Sequence, residues 1–325
     1  MPCFDDWSSA GELLAQLNGI AGHFQSMRVY IVDDGSVTHP PDGFLASNYE
    51  GIDVELVRLQ TNLGHQRALC IGLVRSLSDT EMTYFVLMDG DGEDKASDIP
   101  ALIDSLIASE ADAAVATRRK RYAGSTFRLF NRLFQALFRI LTGRTLNFGN
   151  FMALTDATAR RLANTPDAWN NLPTTLMRSR AQILRVPLDR GQRFEGQSRL
   201  GLTGLVNHGL GAVAVYSDVV FTRVILGSSA ALGASVLVGI TALITRILTG
   251  SPLPGWFALG TTAVAVGSLV LLVLVTSLTF IMLGNRRSVT PPLAVMVQPY
   301  IATTTSLPIS LGRSSGSLSP HFPYG

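Results

Sequence analysis

Charge is scarce in this chain: charged side chains make up only 15% of its 325 residues, against about 25% in ordinary soluble domains. The shortfall argues against a wholly soluble protein, and its location is specific. Residues 224–245 contain no charged side chain, and neither do residues 247–285. Each run can supply the ~20 apolar residues needed to cross a hydrocarbon core of ~30 Å. Cysteine is nearly absent. Cys3 and Cys70 give neither a disulfide framework nor metal-ligand spacing, and so few thiols fit a reducing cytoplasm. The start is acidic and mixed rather than basic then apolar, so no secretory signal is expected. No nucleic-acid motif is present, and nucleic acid is not an expected partner.

Charge of one sign is also missing from each half. Residues 1–112 carry 19 acidic and 5 basic side chains, and residues 113–325 carry 21 basic and 5 acidic. The basic half contains the apolar runs, so its charge is read as facing lipid headgroups or phosphate ligands. The runs, about 224–246 and 256–283, are joined by Ser251-Pro252-Leu253-Pro254-Gly255. Arg223 precedes them and Arg286-Arg287 follow. The positive-inside rule then puts both ends of the hairpin in the cytoplasm. This predicts a multi-pass protein of the inner (plasma) membrane whose main domain and C-terminal tail share the cytoplasm, with the lipid bilayer as a partner and homo-oligomers an open option.

The first 190 residues alternate in type. Strands are expected at Arg28–Val32, Ile52–Leu59, Tyr84–Met88 and Ala113–Thr117, and helices at Gly64–Val74 and Ser97–Ala108. A further helix from Leu13 is preceded by a Ser9/Glu12 capping-box pattern. Such alternation predicts an α/β fold with a mostly parallel sheet covered on both faces, and ligands beyond the carboxyl ends of the strands. Phe127–Leu141 has an apolar, aromatic-rich face and an arginine face (Arg128, Arg132, Arg139). Two readings stay open for it: a helix in a membrane interface, or one packed on the sheet with a solvated basic face. The domains expected are 1–199 for the α/β unit and 200–223 for an amphipathic juxtamembrane segment. A hairpin at 224–284 and a disordered tail at 285–325 would follow.

Two acidic turns fall at predicted strand ends. Asp89-Gly90-Asp91 follows Tyr84-Phe85-Val86-Leu87-Met88. In an extended chain residues i and i+2 point the same way, so both carboxylates can converge on a hard divalent cation such as Mg²⁺ or Mn²⁺. Glu93 and Asp94 thicken the patch, as extra ligands or as surface acids near a helix start. Asp33-Asp34-Gly35-Ser36 follows Val29-Tyr30-Ile31-Val32, where a carboxylate can accept from a base imide or ribose hydroxyl.

Ile31-Val32-Asp33-Asp34-Gly35-Ser36, Asn62-Leu63-Gly64-His65-Gln66-Arg67-Ala68-Leu69 and Met88-Asp89-Gly90-Asp91-Gly92-Glu93-Asp94 together resemble the successive motifs of family 2 glycosyltransferases. Arg193-Phe194-Glu195-Gly196-Gln197-Ser198-Arg199 is similar to the Arg-x-x-Gly-x-Ser-Lys segment of the dolichyl- and polyprenyl-phosphate sugar synthases. A two-span hairpin directly afterwards fits the bacterial branch of that group. The likeness covers about residues 1–285. It implies a GT-A fold, a nucleotide-sugar donor (UDP or GDP), a divalent metal and inversion at the anomeric carbon. It further implies a polyprenyl (undecaprenyl) phosphate acceptor.

Carried over, Asp33 and Asp34 would contact base or ribose, with Asn62, Gly64 and His65 in the following donor motif. Asp89 and Asp91 would hold metal and diphosphate. Arg118 would sit near the donor phosphates, and Arg193, Ser198 and Arg199 would bind donor or acceptor phosphate. Phe148-Gly149-Asn150-Phe151-Met152 departs from the acidic segment of several relatives, because Asn150 cannot act as a base. The start is a second departure. Met1-Pro2-Cys3-Phe4-Asp5-Asp6-Trp7 resembles the segment that closes the first strand, so that strand is expected to be cut short and its neighbours left with unpaired backbone groups. Pro2, Cys3 and Asp5 would still line the base pocket. Other acceptors, a glycan or another lipid, and an impaired membrane scaffold derived from the fold are the alternatives.

Overall fold

The protein is described here from a computed structural model, which describes residues 1–44, 49–79, 81–118, 125–194, 202–250, 252, 254–285 and 293–306. The α/β alternation is present. In chain order the elements begin β1 (Pro2–Cys3), α1 (Trp7–Ile20), β2 (Arg28–Asp33), β3 (Asp53–Leu59), α2 (His65–Ser76) and β4 (Tyr84–Leu87). They continue with α3 (Ile99–Ser109), β5 (Ala113–Arg118), α4 (Ser125–Thr142), β6 (Phe148–Thr155), α5 (Asp156–Ala163), α6 (Leu172–Arg178) and β7 (Ile183–Leu188). The C-terminal part holds α7 (Leu202–Ala214), α8 (Ser217–Thr249), α9 (Gly255–Asn285), α10 (Leu293–Val297) and β8 (Ile301–Ser306).

Strand pairing is mixed rather than mostly parallel. One sheet has the order β1-β2-β3-β8 and the other β4-β6-β5-β7. β1 and β2 pair parallel, as do β2 and β3, and β5 and β7. β6 runs antiparallel to both β4 and β5, and β8 antiparallel to β3. β1 has only two residues, paired with Val32 and Asp33. The Pro2 carbonyl nevertheless backs the acidic turn after β4, 2.6 Å from where a Cβ on Gly90 would lie.

Side chains alternate across the sheets, as the period of a strand requires. Ile31, Val54, Leu56, Ala114 and Ala153 face a core closed by Leu13 and Leu14 of α1 and by Leu102 and Leu106 of α3. Val32, Val57, Met152 and Leu154 face the opposite core, closed by α2, α5 and α6. Both cysteines are buried, and burial pushes each thiol up to about 12, so neither is a nucleophile at neutral pH. The Ser9/Glu12 capping box does not form. The helix begins earlier, at Trp7 after Asp6, and Ser9 is buried within it.

α4 packs one face against the domain and turns the other outward. Phe138 is fully buried and meets the Tyr216 ring edge-on at 6.1 Å. Leu133, Leu137 and Ile140, spaced four and three apart, point outward with Arg132 and Arg139. The end of α4 is tied to the long helix α8, since Arg223 donates to the Ile140 carbonyl at 2.8 Å. α8 is also anchored at its start. Arg178 donates to both Asp218 carboxylate oxygens, at 3.1 and 2.9 Å, and to the Val215 carbonyl. α8 and α9 are each long and apolar enough to cross a membrane and are almost wholly unburied.

The tail corrects an expectation. Residues 293–306 are not disordered: the chain returns from α9 to the α/β domain. Leu293 and Val297, one helical turn apart, are buried in the core beside α2. β8 then occupies the free edge of β3, where it pairs with residues 55–59. An unpaired edge offers a row of backbone donors and acceptors, and Thr303-Thr304-Thr305 supplies β-branched residues suited to fill it.

Candidate active site

The second acidic turn sits beyond β4 and bends instead of continuing the strand. Strand alternation is therefore not what brings the two carboxylates together. The turn is fixed from within. Asp94 is buried and accepts the Asp89 N–H at 2.9 Å, and Asp91 Oδ1 accepts the Glu93 N–H at 3.0 Å. Asp94 is thus a bracket for the turn, and Glu93 is held in an ion pair by Arg190.

A segment after β7 lies across this turn. The Gly191 N–H donates to the Glu93 carbonyl at 2.8 Å and the Phe194 N–H to the Asp91 carbonyl at 3.0 Å. Arg193 meets Asp91 Oδ2 at 2.6 Å. Gly92 has φ +84°, and a Cβ there would lie 2.5 Å from the Phe194 ring, so only glycine lets the strap seat. Burial, and next the charge of Asp89, push the Asp91 carboxyl above its ordinary value, while Arg193 and Arg190 pull it down only in part.

Asp89 faces α2 and β6. Its Oδ1 meets His65 Nε2 at 3.0 Å and Asn150 Nδ2 at 3.2 Å. Asn150 Nδ2 also lies 2.9 Å from His65 Nε2. That ring nitrogen donates to Asp89 when protonated and accepts from Asn150 when not. Desolvation lowers the His65 pKa, but Asp89, Asp91 and Asp94 outweigh it and raise it above the ordinary imidazole value. Gln66 completes the group, its Nε2 donating to Asn150 Oδ1 at 2.8 Å. Sequence reasoning missed Gln66, and it missed His208 on α7. His208 interacts electrostatically with His65 and Asp89; desolvation, then His65, hold its imidazole below the ordinary value.

The first acidic turn is engaged internally. Asp33 is fully buried, accepts the Ser36 N–H at 2.8 Å and pairs with Arg58 at 3.2 Å. Asp34 accepts the amides of Leu63 and Gly64 at 2.7 and 2.9 Å. Burial pushes the Asp34 carboxyl up, against the pull of those two amides. Gly35 has φ +72°, and a Cβ there would strike the Asn62 amide at 2.6 Å. Asp34 therefore holds the loop carrying Asn62, Gly64 and His65, while Asp33 holds its own turn and Arg58, and the oxygens of both are already engaged. Asp5 ties this turn to β1, accepting from the Thr38 N–H at 2.8 Å and its hydroxyl at 2.7 Å. Pro2 pairs with Val32. Arg118 is the last residue of β5. Ser198 and Arg199 lie outside the described residues.

The structure thus gathers Asp89, Asp91, His65 and Arg193 in one place, and puts Asp33 and Asp34 in a supporting loop beside it. The donor chemistry suits a hard divalent cation, because it relieves the repulsion between two neighbouring carboxylates. Among the described residues no group of three or more His, Cys, Asp and Glu side chains forms a ready-made metal cage. Such a cation would complete its shell with diphosphate and water, as Mg²⁺ commonly does.

A family model for glycosyl transferase family 2 matches residues 1–164. Solved structures with a similar fold include glucosyl-3-phosphoglycerate synthase from Mycobacterium tuberculosis in complex with Mn²⁺, uridine-diphosphate-glucose and phosphoglyceric acid. The identity there is 17% and the TM-score 0.48, covering 67% of this chain and 77% of that one. S. aureus TarS (residues 1–349) is similar at 12% identity and a TM-score of 0.35, covering 58% and 57%. No curated protein matches the sequence.

Proposed function

The chain belongs to glycosyl transferase family 2, and on that premise we propose that it moves a sugar from a UDP or GDP donor, with inversion, to a polyprenyl phosphate at a membrane face. It is a glycosyltransferase whose GT-A-like mixed α/β domain is followed by two long apolar helices. The observation that carries the acceptor reading is the neutral Asn150 amide beside Asp89 and His65.

A hydroxyl acceptor needs a base to take its proton. A phosphate monoester has a second pKa near ~6 and is largely dianionic at neutral pH. Its oxygen can attack the anomeric carbon directly, forming the new C–O bond as the bond to the nucleotide diphosphate breaks. The protein then has to align the two substrates and stabilise the departing diphosphate. Asp89 and Asp91 would hold Mg²⁺ or Mn²⁺, which when bound neutralises charge on the leaving group. Arg193, and Arg190 behind it, would turn from the acidic turn to the phosphates, for which a planar guanidinium is well shaped.

The membrane reading rests on α8 and α9. At 1.5 Å per residue the 33-residue α8 is about 50 Å long, longer than a ~30 Å hydrocarbon core. Its first turns are free to stand in the interface, clamped by Arg178 and Arg223. The outward Leu133, Leu137 and Ile140 of α4 would rest on the same surface. Return of residues 293–306 to β3 supports one membrane side for the catalytic domain and both hairpin ends.

The test is a screen of radiolabelled nucleotide sugars with membranes containing the protein and added undecaprenyl phosphate. A lipid-linked sugar that requires Mn²⁺ or Mg²⁺ and is lost in Asp91→Asn is expected. Transfer only to glycans or neutral lipids would refute the acceptor. Absence of any metal-dependent donor binding would refute the enzyme.

A further inference from the structure

The N–H of Leu172 can only donate, and it lies 3.0 Å from Gln66 Oε1. That contact fixes the Gln66 amide: Oε1 faces Leu172, so Nε2 faces Asn150 Oδ1 at 2.8 Å. Asn150 is fixed in turn, with its Nδ2 toward Asp89 Oδ1 at 3.2 Å and His65 Nε2 at 2.9 Å. Each amide is an acceptor at one end and a donor at the other. Two in series therefore transmit polarity, and a donor at Leu172 arrives as a donor at Asp89. The origin of the relay is rigid. Leu172 opens α6 and is fully buried, and the preceding Asn171 caps that helix by accepting the Thr174 N–H at 3.0 Å.

Resting on the assignment of Asp89 to the sugar-transfer site, we propose that Gln66 is a positioning residue of that site. It decides which end of the Asn150 amide meets Asp89, and so holds the carboxylate oriented for its ligands. Were Asn150 reversed, a carbonyl oxygen would face a carboxylate oxygen. Acceptor against acceptor is repulsive, and Asp89 would rotate away. Gln66 reaches none of the reacting groups itself and acts through Asn150 alone.

Gln66→Glu is close to isosteric and inverts the relay. The introduced carboxylate accepts from Leu172 and also demands a donor from Asn150, so the Asn150 amide turns over. Acid reverses the change, because the protonated carboxyl donates to Asn150 Oδ1 as the native amide does. The full chain in lipid nanodiscs would be studied by two readouts: side-chain amide resonances of Asn150 under asparagine-selective ¹⁵N labelling, and Mn²⁺ affinity by electron paramagnetic resonance. In Gln66→Glu near pH ~8 the Asn150 resonances are expected to shift and Mn²⁺ binding to weaken about tenfold. The deficit should narrow as pH falls toward the carboxyl range near ~4.3. Gln66→Leu should weaken binding at every pH, without acid recovery. Unshifted Asn150 resonances with wild-type Mn²⁺ affinity in a folded Gln66→Glu protein would overturn the proposal, as would a deficit that acid leaves unchanged. Shifted Asn150 resonances in a protein that binds no Mn²⁺ even as wild type would uphold the relay and refute the metal-dependent transferase.

Discussion

Replacing Arg193 with methionine removes the guanidinium from Asp91 and keeps most of the apolar stem. The two groups meet at 2.6 Å, and their side chains are only 24% and 18% exposed. A charge-assisted hydrogen bond of this kind contributes about 1.5–3 kcal/mol. Asp91 is already pushed toward its protonated form by burial and by Asp89, so it loses its main counter-charge. The metal-free fold should therefore weaken by about 1–3 kcal/mol, at roughly 2–4 °C in Tm per kcal/mol for a domain of this size. The same guanidinium competes with a divalent cation for Asp91. Without it Mn²⁺ should bind about tenfold tighter at neutral pH, equivalent to ~1.4 kcal/mol. Because the Asp91 carboxyl rises further in the variant, that gain should fade at a higher pH than the wild type loses its own Mn²⁺ binding. Sugar transfer should nonetheless drop about 100-fold, since the diphosphate loses a preorganised donor. Calorimetric Mn²⁺ titration, thermal unfolding in chelator and transfer of labelled sugar measure the three effects. Weaker Mn²⁺ binding with an unchanged Tm would refute the competition between Arg193 and the cation.

Gly92→Ala places a Cβ 2.5 Å from the Phe194 ring at φ +84° and should cost about 1–3 kcal/mol; hydrogen exchange should show the Gly191 and Phe194 amides losing protection as the strap lifts. Phe138→Ala opens a cavity where Phe134 and Tyr216 now meet the ring. It should destabilise by about 3–5 kcal/mol, read as a lowered Tm with the α4–α8 junction exchanging fastest. His65 should titrate above the ordinary imidazole value of ~6.5 in the metal-free protein and move down in Asp89→Asn, measured by NMR of the ring protons. With the folded pKa raised, the stability that His65 adds is fully present below ~6.5 and lost as pH rises through its folded value.

Local pattern carried much of the architecture. Apolar runs ending in Asp33-Asp34-Gly35 and Asp89-Gly90-Asp91 marked β2 and β4, because a buried strand that emerges at a turn changes from apolar to acidic over one or two residues. The 3.6-residue period marked α1, α2, α3 and α4, and two charge-free runs marked α8 and α9. The tail resisted such reading. β8 is polar on its exposed side, and only the unpaired edge of β3 gives its threonines a reason to extend. Strand β6 hid for a related reason: its partners β4 and β5 lie far away in sequence, and Gly149 and Asn150 interrupt its apolar run.

By itself the sequence determined that acidic turns stand at strand ends, that arginines follow them in the basic half, and that a long apolar hairpin comes after the α/β unit. These are properties of near neighbours, set by side-chain period, turn chemistry and hydrophobicity. Only the tertiary structure decided which acids brace their surroundings and which meet side chains brought from afar. Asp33, Asp34 and Asp94 are bound by amides of their own or neighbouring turns, Asp33 also by Arg58 of the adjacent strand β3, while Asp89 and Asp91 meet side chains from distant elements. Gln66 meets Asn150 across 84 residues and Leu172 across 106. A hydrogen bond has a direction as well as a length, and no residue spacing records which end of an amide a folded neighbour will meet.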